Sequence, residues 1–342
     1  MNWVKPQYKP SQIENHGKKL IDPKITEEEY YQAMEVLSNW RASHAFPLNY
    51  FQSWLRREAR NLDKDCLVTQ RLKRTPSIKR KLEKSTTKLN QMQDIGGCRA
   101  ILKNIRTVYQ LRDRLFNTTR NSKLIKKDDY IQSPRNSGYR GIHLIYKYEG
   151  NSDYNNHKIE IQLRSYIQHY WATSVEIAGA FTQQNLKNGE GDENWLLFFK
   201  YTSIILAFLE DYVQDITKEK LSDTAKEVKK LMEKLNVRDI LTAFPLTIKE
   251  NLEKEVDKEK YFLLILNTKE KTIEGESYTP RKFTQATENY KKLEEENKNN
   301  PFVDVVLVKS ESIKKLKKEY PNYFADSQAF LNCLDNGFKK IL

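Results

Sequence analysis

From Ile25 to about Asn61 apolar residues recur at three- and four-residue intervals, with an interruption near Pro47. That spacing predicts two helices in succession. Beyond them, short runs of strand character (CLVTQRLKR, CRAILKN, GIHLIYKYE and KIEIQLRS) alternate with helical ones such as TVYQLRDRLFN. Strands and helices interleaved in this way predict an α/β unit built on a mixed sheet. Helical periodicity covers 166–185, 193–213 and 217–236, and YFLLILN at 261–267 then opens a second set of strands. That set runs strand, strand, helix (283–297), strand (302–310), helix (311–319), a small α+β unit. Two domains are therefore expected, 1–240 and 241–342.

A chain of 342 residues is long enough for each half to bury its own core, and 19 Tyr with 14 Phe argue against disorder. Fifty-nine Lys and Arg against 46 Asp and Glu leave a net charge of +13, which attracts nucleotides, RNA and other polyanions without choosing among them. Cys66, Cys98 and Cys333 are odd in number and widely spaced, so they supply neither a disulfide framework nor paired zinc ligands. A reducing cytoplasm fits that usage. The opening MNWVKPQYKP lacks the apolar core of a signal peptide. The most apolar stretch, 195–209, is broken by Lys200 and too short to span a bilayer, so no membrane segment is expected.

The two-residue period of CLVTQRLKR sends Arg71 and Lys73 to one face. Thr75 follows as a candidate helix cap with Pro76 behind it, and the four-residue spacing puts Ser77 and Lys81 on one side of that helix. Cations, a hydroxyl and a helix N-terminus together suit a polyphosphate, although an Arg-x-Lys pair taken alone is more often a solvent-facing strand. In QDIGGCRAI, Asp94 sits in a glycine-bearing turn before a strand, a position from which a carboxylate can reach a hard metal ion or simply cap a turn. In KIEIQLRS the residues Ile159, Ile161 and Leu163 face one way, and Lys158, Glu160, Gln162 and Arg164 the other. The loop of IQSPRNSGYRGIHLIYKY delivers Arg135, Tyr139 and Arg140 ahead of a strand carrying His143, placing an aromatic ring beside arginines where a nucleobase can stack.

Taken in order, Arg71, Lys73, Ser77 and Lys81, then Asp94, Gly97 and Arg99, then Gly138, Tyr139, Arg140 and His143, then Glu160, Gln162 and Arg164, the chain resembles the RelA/SpoT synthetase family over roughly 60–180. The resemblance implies a nucleotidyltransferase-like fold and transfer of a pyrophosphoryl group from ATP to a ribose 3′-hydroxyl. By the same resemblance Arg71, Lys73, Ser77 and Lys81 hold ATP, Asp94 binds Mg²⁺, and Glu160 binds metal or acts as general base. Tyr139 would stack the acceptor base, with Arg135, His143 and Gln162 orienting the acceptor.

A narrower resemblance covers the remainder. NWVKPQY, NWRASHAFPLN and KKEYPNYFADSQAFL are similar to segments of CapRel-type fused toxin–antitoxin proteins of phage defence. It implies a toxic domain that pyrophosphorylates the 3′-CCA end of tRNA and a zinc-free C-terminal domain that restrains it. Tyr320 and Tyr323 match the restraining Tyr-x-x-Tyr motif, and a phage structural protein such as the capsid protein would be the trigger. An alarmone synthetase making (p)ppGpp or an adenine analogue would use nearly the same donor residues. A catalytically silent nucleotide or RNA sensor is the third reading, and the pairing of Asp94 with Glu160 argues against it.

Overall fold

The computed structural model describes residues 3–117, 121–212, 216–242, 247–248, 260–270, 272–297, 300, 302–310, 312, 315–317 and 327–342. A first helix not expected from periodicity, α1 (Pro10–Lys19), precedes the expected pair α2 (Glu27–Ser43) and α3 (Ala45–Arg60). Thr26 and Glu29 cap α2 reciprocally, satisfying two otherwise free donors. The break between α2 and α3 falls at His44. Pro47 lies within the first turn of α3, where a helix needs no backbone N–H.

Five strands form the main sheet: β1 (Leu67–Leu72), β2 (Gly96–Leu102), β3 (Ser122–Asp129), β4 (Ile142–Tyr148) and β5 (Lys158–Ser165). Their spatial order is β1-β2-β5-β4-β3, with β2 and β5 parallel and the other pairs antiparallel. This is the α/β class with a mixed sheet that the residue pattern predicts. The helices α4 (Thr75–Lys84) and α5 (Ile105–Asn117) are inserted between strands. Ile159, Ile161 and Leu163 are fully buried with Phe51, Leu55, Val108 and Leu111, so one face of the sheet closes on α3 and α5. The opposite face carries the polar side chains, and that division positions the site.

The helices α6 (Tyr166–Thr182), α7 (Glu193–Leu209), α8 (Lys218–Lys234) and α9 (Val237–Thr242) follow the sheet. A second sheet of order β6-β8-β7-β9 comprises β6 (Thr247–Ile248), β7 (Lys260–Asn267), β8 (Thr272–Tyr278) and β9 (Val303–Ser310), with α10 (Phe283–Glu296) between β8 and β9. Both faces of β7 are buried: Phe262, Leu264 and Leu266 on one side, Tyr261 and Leu263 against Ala286 and Tyr290 of α10 on the other. Among the described residues, the region after 241 keeps two small cores of its own and sends its last helix elsewhere. Its last helix, Gln328–Ile341, packs Phe330, Leu334 and Phe338 among Trp171, Phe198, Phe199 and Val228 of α6–α8. Among the described residues no helix is long and apolar enough to cross a membrane.

Candidate active site

β1 ends at Leu72, and the backbone is still held beyond it. The Lys73 N–H donates to the Ile95 carbonyl at 2.7 Å, and its own carbonyl accepts from Arg41 Nε at 2.6 Å. That anchoring aims the Lys73 side chain at Asp94, whose two oxygens accept from Lys73 Nζ and Lys81 Nζ, each at 2.9 Å. Burial opposes a charge on Asp94, but the two ammonium groups outweigh it and keep the carboxyl below its usual range. The N-cap of α4 is Arg74, while Thr75 is its first helical residue and Pro76 its second. Thr75 instead donates its backbone N–H and hydroxyl to Glu294 of α10, at 2.8 and 3.0 Å. Arg74 forms an ion pair with Asp304 of β9.

Arg71, Ser77, Arg80, Lys84 and Lys187 line a cleft of about 750 Å³ whose far wall includes Thr268, Phe302 and Asp304 of the second sheet. Glu176 of α6 joins them, 2.6 Å from Lys187. Burial opposes its charge, yet Lys187, Arg71 and Arg99 keep its carboxyl well below the usual range. Sequence reasoning passed over Glu176 and Lys187. They lie on a helix and the loop after it, and nothing local marks them as facing Arg71.

The register places the acceptor half beside this one. Arg71 lies opposite Gly97 and Gly97 opposite Glu160, while Gln162 stands opposite both Arg99 and His143. Glu160 meets His143 Nδ1 at 2.9 Å through Oε1 and accepts from the Gln162 amide at 2.7 Å through Oε2. Burial again opposes the charge, and His143, Gln162 and Lys73 overcome it, holding the Glu160 carboxyl well below its usual range. Lys73 thus lowers both carboxyls, Asp94 and Glu160, and marks where the halves meet.

Tyr139 places its hydroxyl 2.6 Å from His143 Nε2. The Arg164 and Arg135 guanidiniums lie 5.0 and 5.7 Å from its ring centroid. Arg135 itself is exposed, donating to the Tyr130 hydroxyl at 2.7 Å. The sequence places Arg140 with Arg135 and Tyr139 in the loop ahead of β4. Arg140 turns inward, donating to the Ile131 carbonyl at 3.1 Å and Ser203 Oγ at 3.2 Å, because the glycine-bearing loop folds back onto α7. Tyr320 and Tyr323 lie outside the described residues.

Among the described residues no cluster of three or more His, Cys, Asp or Glu forms a ready metal centre. Asp94 and Glu160, two hard carboxylates within electrostatic reach of each other, nevertheless fit Mg²⁺. That ion is commonly held by one or two carboxylates together with substrate phosphates.

Residues 70–184 match the family described as "Region found in RelA / SpoT proteins". That span is similar to the RelA/SpoT synthetase domain. The main-sheet residues from Arg71 to Arg164 and Glu176 fall inside that span, and Lys187 lies just beyond it. The chain is 31% identical over 111 residues to the GTP pyrophosphokinase YjbM of Bacillus subtilis, covering 31% of this chain and 52% of the relative. It is 33% identical over 84 residues to GTP pyrophosphokinase YwaC of the same organism, covering 24% and 40%. It thus spans about half the length or less of the curated relatives it matches. Among solved structures, small alarmone synthetase 2 from Bacillus subtilis aligns at 24% identity and a TM-score of 0.43, covering 51% of this chain and 93% of that one. Small alarmone synthetase 1 bound to its product pppGpp aligns at 26% identity and a TM-score of 0.38, covering 42% and 74%.

Proposed function

We propose that the protein transfers a pyrophosphoryl group from ATP to a ribose 3′-hydroxyl and releases AMP. The observation that carries this reading is the meeting of Asp94 and Glu160 around Lys73, with Arg71, Ser77 and Lys81 on the donor side and Tyr139 and His143 on the acceptor side. In this reaction the 3′-oxygen attacks the β-phosphorus of ATP, the bond from that phosphorus to the bridging oxygen breaks, and AMP leaves with that oxygen. Phosphoryl-type transfers of this sort depend on positioning and charge neutralisation. Arg71 and Lys81 neutralise the donor, while Glu160 orients the hydroxyl and accepts its proton. Mg²⁺, held by Asp94 and Glu160, would neutralise charge on the phosphates.

The acceptor we favour is the 3′-CCA end of tRNA. Lys123 and Lys126 are exposed on the edge strand β3, which pairs directly with the strand carrying His143. Two cations beside the acceptor half support a long polyanion. Guanine nucleotide acceptors, giving an alarmone, are the second reading, favoured by the names of the two curated relatives. The contacts of Glu294 and Asp304 with Thr75 and Arg74 support restraint of the donor side by the C-terminal unit. Release by a phage structural protein such as the capsid protein belongs to the same proposal.

Incubation of the full chain with β-labelled ATP, Mg²⁺ and either tRNA, GDP or GTP identifies the acceptor by where the label goes. Label on tRNA supports the first reading and labelled guanine nucleotide the second. Label on neither, with the chain folded and the C-terminal contacts broken by Glu294→Ala, overturns both.

A further inference from the structure

Arg164 completes a closed circuit behind Glu160. Its Nε and Nη2 donate to the Tyr139 hydroxyl at 3.1 and 3.0 Å, and Nη2 also donates to Gln162 Oε1 at 3.2 Å. Tyr139 continues to His143 and His143 to Glu160, while Gln162 returns to the other oxygen of Glu160. Four side chains from β4, β5 and the loop before β4 therefore fix the Glu160 carboxylate through both its oxygens. Arg164 is only 4% exposed, so its place in the circuit is internal. The backbone makes room for the junction. At Gly141, with φ +152°, a Cβ would lie 3.0 Å from the Tyr139 hydroxyl and 3.3 Å from Arg164 Cγ.

We propose that Arg164 is a positioning residue for the transfer: its planar fork holds Tyr139 and Gln162 together and through them sets the direction of the Glu160 carboxylate. This rests on the pyrophosphokinase reading of the site. A guanidinium suits the role because its donors diverge at fixed angles, reaching a phenol and an amide at once, whereas a single ammonium group lacks that fork. Misplacing a reacting group by about 1 Å costs on the order of 100-fold in rate. Losing the fork should therefore act on turnover more than on binding.

The test compares Arg164→Met, Arg164→Lys, Tyr139→Phe and the double variant Arg164→Met with Tyr139→Phe in the full chain, using labelled ATP and the acceptor that takes label. Tyr139→Phe retains the ring and removes only the hydroxyl that joins Arg164 to His143. Each single variant should lower kcat per folded molecule about tenfold or more with acceptor KM within about threefold, and the double variant should be no worse than its parents, as expected for one shared network. Multiplying losses, or an unchanged kcat in Tyr139→Phe, would overturn the proposal. If the chain moves no label to any acceptor even with the C-terminal contacts broken by Glu294→Ala, the transfer reading fails, and ultraviolet titration still decides the role of Arg164. Burial opposes ionisation of Tyr139, but Arg164 and His143 bring its phenol below the ordinary value. The tyrosinate step that Tyr139→Phe removes should move to higher pH in Arg164→Met, and an unmoved step refutes the link.

Discussion

Glu294 of α10 accepts both the backbone N–H and the hydroxyl hydrogen of Thr75, the first residue of α4, across 219 positions of sequence. The first turn of a helix is where an anion gains most from free N–H groups. A carboxylate from the second sheet unit therefore stands at the end of the helix that carries Ser77 and Lys81.

Removing that carboxylate should favour ATP. An anion at a helix N-terminus is stabilised by about 0.3–2 kcal/mol. Glu294→Ala should accordingly tighten binding of a non-hydrolysable ATP analogue by about twofold to thirtyfold, measured by calorimetry, while Glu288→Gln on the exposed side of the same helix changes nothing. Unaltered affinity in Glu294→Ala, with normal folding, would refute competition at this helix end.

Glu160→Gln keeps shape and removes charge. Transfer should fall by about 100-fold to 10,000-fold, the range for a lost general base, with ATP binding largely retained. Tyr139→Ala should raise the acceptor KM, since base stacking contributes about 1–3 kcal/mol. Steady-state kinetics with each substrate varied checks both, and near-normal turnover in Glu160→Gln would sink the mechanism.

Acid should weaken the fold through a buried histidine pair. Burial brings His157 down to about 4 and, together with the neighbouring His157, keeps His44 well below the ordinary 6.5. Between pH 6.5 and 4 these two histidines bind more protons in the unfolded chain than in the folded one, partly offset by Glu210, whose carboxyl burial raises to about 7. The histidines' share of stability is thus fully present above 6.5 and declines as pH falls toward 4, by up to about 1.4 kcal/mol per unit for each group. Urea denaturation at pH 7, 6 and 5 should show this slope, and His157→Gln should reduce it.

The C-terminal helix should be sensitive at Gly337. Alanine usually strengthens a helix by about 1 kcal/mol over glycine. Here a Cβ would press on Ile205 of α7. Gly337→Ala should cost about 1–3 kcal/mol through overpacking, and a raised melting temperature would contradict the docking of this helix. Leu334→Ala, at a fully buried position, should cost about 2–5 kcal/mol.

Local pattern made much of the site legible. The alternation of KIEIQLRS separates Ile159, Ile161 and Leu163 from Glu160, Gln162 and Arg164 because a strand turns successive side chains to opposite faces. The helices α6, α7 and α8 follow from their apolar periodicity to within a few residues. The strand β3 was not legible. Its sequence SKLIKKDD carries little alternation, and it is a strand because β4 offers it a hydrogen-bonding edge.

The sequence by itself therefore determined the mixed α/β class, the polar face of the central sheet and the chemical types gathered on it. Only the tertiary structure decided that Lys73 and Lys81 share Asp94, that Arg164 closes a circuit behind Glu160, and that Arg140 faces inward. It also decided that Glu294 reaches Thr75 and that the last helix docks on α6–α8. Periodicity records which side of an element avoids water. The partner it meets there depends on strand order and chain return over hundreds of residues, which no local pattern contains.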